Sequence, residues 1–386
     1  LGDLRGALER YELALALFQG VSGSEHDQAY CLSNSGVVLG ELGDWRGALE
    51  RYERALALRR EIPGSERNQG GCLFNSGVAL RELGDLRGAL ERYELALALF
   101  QGVSGSEHDQ AYCLSNSGVV LGELGDWRGA LERYERALAL RREIPGSERN
   151  QGGCLFNSGV ALRELGDLRG ALERYELALA LFQGVSGSEH DQAGCLFNSG
   201  VVLERLGDLR GALERYELAL ALFQGVSGSE HDQAYCLSNS GVVLGELGDW
   251  RGALERYERA LALRREIPGS EHDQANCLNN SGNALRELGD LRGALERFEL
   301  ALALFQGVSG SERDQANCLN NSGVVLGELG DWRGALERYE RALALRREIP
   351  GSERNQGGCL FNSGVALREL GDLRGALERY ELALAL

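Results

Sequence analysis

The segment Leu42-Gly-Asp-Trp-Arg-Gly-Ala-Leu-Glu-Arg-Tyr-Glu-Arg-Ala-Leu-Ala-Leu58 decides how the rest of the chain is interpreted. Allowing Leu or Trp, Tyr or Phe, and Leu or Arg at three positions, it recurs with a period of 41 residues. A fixed period in this range is typical of stacked repeats, in which each unit buries its apolar face against its neighbours. The copies begin at Leu1, Leu42, Leu83, Leu124, Leu165, Leu206, Leu247, Leu288, Leu329 and Leu370.

Each copy of this segment is predicted to form an amphipathic helix. In the first copy, Asp3 is a residue type that caps helix N-termini. Apolar residues then recur at the spacing i, i+3, i+4, i+7, which places them on one stripe of a helix. The stripe consists of Leu4, Ala7, Leu8, Tyr11, Ala14 and Leu15.

A loop and a second helical segment follow each copy. The loop is rich in Gly and Ser, and we expect Asp27, or Asn68 in the alternate copies, to cap the next helix. That helix is predicted to end before Gly43, which suits a left-handed C-cap.

The second helix also carries a glycine in its middle, Gly36, at the same place in every copy. A mid-helix glycine costs about 1 kcal/mol relative to alanine. Its recurrence therefore predicts a close approach between helices, and we expect the partner to be Ala48.

The sequence thus predicts an all-α fold, a helical-hairpin solenoid with a 41-residue repeat. We expect a single array over residues 1–386. Residues 1–19 would be the lone helix of a truncated repeat, and residues 27–386 would form nine complete helix–turn–helix repeats. The chain opens inside a repeat and contains no methionine, which suggests a fragment or a processed segment.

Composition limits the possible partners. The formal net charge of −17 argues against nucleic acid or an anionic membrane as partner. No apolar run approaches the roughly 18 residues that span a bilayer, so no membrane insertion is expected. The nine cysteines occupy one fixed position of the repeat and form no CxxC motif, so we expect small buried side chains and neither disulfides nor metal ligands.

The repeat resembles the tetratricopeptide repeat family through Gly36, Gly43-Asp44, Ala48, Tyr52 and Ala55. The unit is longer than the usual 34 residues, and it looks like the long variant of kinesin light chain and of bacterial signalling arrays. Two positions depart from the family pattern, with Leu32 for a frequent Trp and Arg60 for a frequent Pro. The resemblance covers the whole chain and implies a superhelix of hairpins.

In that family the first helix of each hairpin lines a concave groove for peptides, and an asparagine there often bonds the ligand backbone. A matching asparagine occurs in every complete hairpin, and an amide suits this role because it is both donor and acceptor. The alternative is a ladder of asparagines that bond between neighbouring helices. These residues are Asn34, Asn75, Asn116, Asn157, Asn198, Asn239, Asn280, Asn321 and Asn362.

Aromatic residues alternate between two positions three apart on the same helices, and positions three apart share a helix face. We expect them to place one aromatic near the same spot in most units, as a ligand surface or as packing between neighbours. Asn276 with Asn279, and Asn317 with Asn320, would make the groove locally polar near Asn283. The aromatic residues are Tyr30, Phe74, Tyr112, Phe156, Phe197, Tyr235 and Phe361.

The sequence contains no P-loop, no GxGxxG and no HExxH motif, so we expect neither an enzyme nor a cofactor. The first hypothesis is a scaffold that binds a protein or peptide along the groove. The second is a structural protein whose near-identical repeats assemble into a filament. Free cysteines favour the cytoplasm, whereas a fibre would suit an extracellular location.

The second hypothesis also draws on charge. Units with six acidic residues and two arginines alternate with units that have six and seven. The difference lies late in the first-described helix, where Arg54, Arg59 and Arg60 replace Leu13, Phe18 and Gln19. We expect exposed Glu–Arg pairs between neighbouring units at these positions.

Overall fold

The computed structural model describes residues 3–386, and all the regular secondary structure in this range is helical. The period of the helix pairs confirms the predicted all-α solenoid of 41-residue hairpins. The helices are α1 (Leu4–Gln19), α2 (Glu25–Glu41), α3 (Trp45–Arg60), α4 (Glu66–Glu82), α5 (Leu86–Gln101), α6 (Glu107–Glu123), α7 (Trp127–Arg142), α8 (Glu148–Glu164), α9 (Leu168–Gln183), α10 (Glu189–Arg205), α11 (Leu209–Gln224), α12 (Glu230–Glu246), α13 (Trp250–Arg265), α14 (Glu271–Glu287), α15 (Leu291–Gln306), α16 (Glu312–Glu328), α17 (Trp332–Arg347), α18 (Glu353–Glu369) and α19 (Leu373–Leu384).

The chain divides into two compact units, and the boundary falls within α10. Unit 1 is the described chain up to Cys195, and unit 2 is Leu196–Leu386. Inside each unit every even-numbered helix packs against the odd-numbered helix that follows it, as α4 does on α5 and α12 on α13. The short turns between them make each pair a helical hairpin.

The turn inside each hairpin has the caps that the sequence predicts. Gly43 has φ of +84°, a left-handed conformation that favours glycine. The backbone N–H of Asp44 then donates to Leu39 O at 2.8 Å. The carboxylate of Asp44 accepts a hydrogen bond from the N–H of Gly47 at 2.9 Å and caps α3.

The turn between hairpins differs from the prediction. The expectation that Asp27 or Asn68 caps the following helix is wrong, because α2 and α4 each begin two residues earlier. The residue before α2 is Ser24, whose side chain makes no cap bond. Its buried hydroxyl instead lies 2.5 Å from Phe18 O in the last turn of α1 and 2.7 Å from Val21 O in the loop that follows, and so ties the turn to the preceding helix.

The mid-helix glycine packs on an aromatic ring. A Cβ added at Gly36 would lie 2.6 Å from Cε1 of Tyr52, far inside van der Waals contact. The predicted close approach is therefore present, but its partner is Tyr52 and not Ala48. The same contact recurs along the chain, with Phe298 in place of tyrosine against Gly282.

The core of unit 1 runs continuously between the hairpins. Its buried residues include Leu15, Leu56, Leu97 and Leu138, together with a cysteine from each even-numbered helix. All nine cysteines are buried and free, as the sequence predicts. Burial raises the pKa of Cys113 to about 12 and that of Tyr52 to about 12, since the core disfavours their charged forms.

Glu–Arg pairs do link neighbouring odd-numbered helices, but at positions other than those expected. They use a glutamate and an arginine that are the same in every unit, so they do not distinguish acidic from basic units. Exposed pairs of this kind contribute roughly 0–1 kcal/mol each. In unit 1 they are Glu12–Arg51, Glu53–Arg92, Glu94–Arg133 and Glu135–Arg174, and in unit 2 Glu217–Arg256, Glu258–Arg297, Glu299–Arg338 and Glu340–Arg379.

The glycine–tyrosine contact predicts opposite effects of two matched substitutions. Gly118→Ala should lower the free energy of unfolding by about 1–3 kcal/mol, because the new methyl group would lie 2.6 Å from Tyr134. Gly71→Ala should raise it by about 0.5–1 kcal/mol, because nothing lies within 4 Å of the added Cβ. Urea denaturation followed by circular dichroism measures both values. Equal effects of the two changes would contradict the contact.

The buried thiols predict a loss of stability in alkali. The thiol pKa is about 9 in the unfolded chain and about 12 for Cys113, Cys236 and Cys318 in the folded one. Between these values only the unfolded state loses its protons, so stability falls as pH rises, by up to about 1.4 kcal/mol per thiol and pH unit.

Urea midpoints at pH 7.5 and pH ~10.5 check this expectation. The variant Cys113→Ala/Cys236→Ala/Cys318→Ala should lose less stability between the two pH values than the unsubstituted chain. Tyr134→Phe is a parallel variant, since Phe298 already occupies the equivalent position. Identical losses in all three proteins would show that these side chains do not govern the alkaline transition.

Candidate functional site

The predicted asparagines all lie on even-numbered helices and are all half-buried. We call the surface that they share the asparagine face of each unit. Unit 1 carries Asn34, Asn75, Asn116 and Asn157, and unit 2 carries Asn198, Asn239, Asn280, Asn321 and Asn362.

The asparagine face is the tighter side of each unit. Even-numbered helices touch the next even-numbered helix directly, as in α2–α4 and α6–α8 of unit 1 and α14–α16 of unit 2. Odd-numbered helices are bridged by long Glu–Arg side chains, for example Arg92–Glu53 at 3.0 Å.

In the tyrosine-bearing hairpins the asparagine side chain is fixed by its own helix. The Nδ2 atom of Asn116 donates to Tyr112 O at 2.9 Å, and Asn34 and Asn239 make the same bond. Each amide keeps its Oδ1 acceptor and one further N–H for other partners. Asn75 and Asn157, which are also among the described residues, make no side-chain hydrogen bond to protein.

In unit 2 two asparagines bond between neighbouring helices. Asn321 Nδ2 donates to Asn279 Oδ1 at 3.3 Å, and Asn362 Nδ2 donates to Asn320 Oδ1 at 3.1 Å. Both acceptors occupy the position that holds an aromatic or serine residue elsewhere. The sequence leaves open a ladder of asparagines that bond between neighbouring helices. Such bonds form here, where the preceding hairpin supplies a second amide.

The region that the sequence marks as polar also contains a shallow pocket in unit 2. Asn280 and Asn283 line it together with Arg286, Glu246 and Tyr257. The volume is about 570 Å³.

The two sets of aromatic residues do not occupy the same spot, contrary to expectation. Each phenylalanine packs on a tyrosine of the following helix, with ring centroids 5.5 Å apart. That tyrosine is buried in the first three pairs, whereas Phe361 is 56% exposed and its partner Tyr380 is half-buried. Positions three apart differ by about 4.5 Å in height along a helix, and this separation gives the two sets different neighbours. The phenylalanine pairs are Phe74–Tyr93, Phe156–Tyr175, Phe197–Tyr216 and Phe361–Tyr380.

The tyrosines are exposed, and Tyr112 and Tyr235 each lie beside a histidine in the first turn of their own helix and an arginine of the following helix. Tyr112 is 37% exposed, its ring stacks edge-on against His108 at 4.8 Å, and the guanidinium of Arg141 lies 5.2 Å from the ring centroid. Tyr235 has the same arrangement with Arg264. Such cation–π contacts contribute about 0.5–2 kcal/mol, and they present each ring with a fixed orientation. Tyr30 is 56% exposed.

Sequence reasoning missed that these arginines are buried. Arg141 is 6% exposed, and its Nη1 donates to Asn150 O at 2.8 Å and to the sulfur of Cys154 at 3.1 Å. Arg264 repeats both bonds, and Arg346 donates to Asn317 Oδ1 at 3.0 Å. In the sequence, arginine alternates with phenylalanine at this position, and that alternation is the signal that could have indicated burial. Exposed Glu–Arg pairs between units were expected there instead.

A pocket opens on the asparagine face of unit 1 where the alternation of hairpins is broken. Its volume is about 260 Å³. It is lined by Gly153, Phe156, Asn157, Phe182, His190, Asp191 and Gly194.

Within residues 3–386, no group of three or more His, Cys, Asp or Glu side chains is arranged to hold a metal ion. No helix in the same range is both long enough and apolar enough to cross a membrane.

Comparison with known proteins gives a family match. The protein-family model with the description tetratricopeptide repeat matches residues 1–61, 71–143, 153–225, 232–307 and 309–386. No curated protein matches the sequence.

Several solved structures share the fold. The apo form of the quorum sensor NprR from B. thuringiensis is 13% identical with a TM-score of 0.64, covering 99% of this chain and 98% of that chain. The apo form of RapI is 18% identical with a TM-score of 0.54, covering 73% and 98%. BtubC (BKLC) from P. vanneervenii is 23% identical with a TM-score of 0.52, covering 58% and 92%.

Proposed function

The chain belongs to the tetratricopeptide repeat family, and from this premise we propose that it is a non-enzymatic scaffold that binds an extended peptide segment of a partner protein along the asparagine face. The observation that carries this proposal is the asparagine on each even-numbered helix, whose amide is fixed by its own helix at Asn34, Asn116 and Asn239. A donor and acceptor held in place before binding lose little conformational entropy when a ligand arrives.

The spacing of the amides suits a peptide backbone. Packed helices lie about 10 Å apart, and an extended chain rises about 3.3 Å per residue. One asparagine therefore meets about every third residue of the ligand. Because an amide reads the backbone without regard to side chains, the asparagines would supply affinity and not sequence specificity.

A triple substitution in unit 1 tests this function. Peptides are first selected on the whole chain from a phage-displayed library of linear peptides, and their affinities are then measured by fluorescence anisotropy. In Asn75→Ala/Asn116→Ala/Asn157→Ala the affinity of peptides that bind unit 1 should fall by about 100-fold. Three hydrogen bonds at about 1 kcal/mol each give this loss.

The control variant is Glu91→Ala/Glu132→Ala/Glu173→Ala. It removes the same number of polar side chains from exposed positions on α5, α7 and α9, and it should bind as the unsubstituted chain does. Circular dichroism confirms that both variants fold. Undiminished binding by the asparagine variant would rule out the asparagine face as the peptide site.

Assembly of chains into a filament is the competing proposal. It draws on the identity of units such as 83–123 and 206–246, since identical units offer identical surfaces. Light scattering over a concentration series, with electron microscopy, separates the two. Growth with concentration favours assembly, and particles of constant mass favour the scaffold.

A further inference from the structure

The pocket at Gly153 occupies a place that a tyrosine fills in other hairpins. One repeat period earlier, the equivalents of Gly153 and Phe182 are Tyr112 and Arg141, which are in contact. In the pocket a glycine replaces the tyrosine, and the phenylalanine ring replaces the guanidinium as one wall.

The polar edge of the pocket also has a counterpart. Burial is the main cause of the raised pKa of Tyr235, and the negative charge of the nearby Asp273 raises it further. The residue that corresponds to Asp273 in the pocket is Asp191, which lines it. Asp191 is held by an ion pair with Arg149 at 2.9 Å, so its carboxylate is fixed in position beside the space that the tyrosine leaves.

A second glycine distinguishes this copy from a nearly identical one. Residues 71–111 and 153–193 have the same sequence, and the next residue is Tyr112 in the first copy and Gly194 in the second. The ring of Tyr112 stacks on His108, whereas Gly194 places no side chain on this side of the pocket. A Cβ added at Gly153 would meet nothing within 4 Å. The space is therefore open from the asparagine face.

We infer that this pocket, the phenol pocket, accepts one aromatic side chain of the bound peptide, with tyrosine preferred. The inference rests on the proposed function and adds the ligand class. Phe156 and Phe182 face the ring, and Asp191 accepts a hydrogen bond from the phenol hydroxyl. Asn157 lines the pocket and also belongs to the asparagine face. The backbone of the peptide and its aromatic side chain are therefore bound next to each other.

The size of the pocket supports a single side chain. Pockets for drug-sized ligands measure about 300–1,000 Å³, and this one measures about 260 Å³. The Asp191 carboxylate and the Asn157 amide provide polar contacts at its edge. An aliphatic side chain would leave these groups without a partner from the ligand.

Three labelled peptides test the inference on the full chain: fluorescein-Ser-Gly-Ala-Tyr-Ala-Gly-Ser and its versions with Phe or Ala at the centre. Anisotropy should show that the Tyr peptide binds about tenfold or more tighter than the Ala peptide. The Phe peptide should fall between them. p-Cresol, which is the tyrosine side chain alone, should bind at the same place in ligand-observed NMR.

The chain supplies a matched pair of variants. Gly153→Tyr should fill the phenol pocket with its own ring, abolish the preference for Tyr over Ala and remove the p-cresol signal. Gly71→Tyr makes the same change within an identical local sequence beside Tyr112, and it should leave both signals unchanged. Gly194→Tyr, which recreates the arrangement at Tyr112, serves as a second filling variant if Gly153→Tyr folds poorly.

The outcomes separate the two proposals. If all three peptides bind equally well to the unsubstituted chain, the phenol pocket is overturned and backbone recognition stands. If Gly71→Tyr abolishes the preference as fully as Gly153→Tyr does, the ring binds elsewhere and the assignment fails. If neither these peptides nor the phage library yields a binder, the proposed function fails. A peptide side chain is then also ruled out as the occupant of the phenol pocket.

Discussion

The contact between a mid-helix glycine and a buried tyrosine ring is the constraint on which each hairpin depends. With no side chain at Gly36, α2 can approach the ring of Tyr52 on α3, and the left-handed Gly43 and the Asp44 cap then join the two helices by a short turn. The glycine costs helix propensity, and the packing of a large ring in the core offsets that cost. Because every hairpin uses the same contact, the next even-numbered helix returns in the same orientation and its asparagine reaches the same face.

Two kinds of packing occur between consecutive hairpins, and they give the asparagine face two kinds of surface. One version ends the odd-numbered helix with an arginine such as Arg141, whose charge is buried against a backbone carbonyl, a thiol and the face of Tyr112. The other ends it with a phenylalanine such as Phe182. A guanidinium can be buried here because donors on its flat fork meet acceptors and an aromatic face. The same site in the other version is simply apolar.

Much of the fold follows from the sequence, because a strict period places equivalent residues on equivalent faces. The helices, Gly43, Asp44, the buried cysteines and the position of the asparagines were all predictable in this way. The start of α2 was not, since the bond from Ser24 to Phe18 O in the last turn of α1 depends on tertiary structure. Helical spacing likewise gave no sign that Arg141 is buried, because its partners lie on the neighbouring helices α6 and α8.

Identical repeats present the same groups to every stretch of a ligand, so they suit a repetitive feature such as a peptide backbone. Discrimination between ligands must come from places where the repeats differ. Two departures from the alternation of hairpins stand out among the described residues, one in each unit. In unit 2 Asn279 and Asn320 each accept a hydrogen bond from the amide of the next asparagine, which uses one of the N–H groups of that amide. In unit 1 the paired glycines Gly153 and Gly194 remove two side chains and leave a ring-sized space. Under the proposed function, the regular part of the array would hold a peptide in extended form, and the phenol pocket of unit 1 would decide which register of that peptide fits.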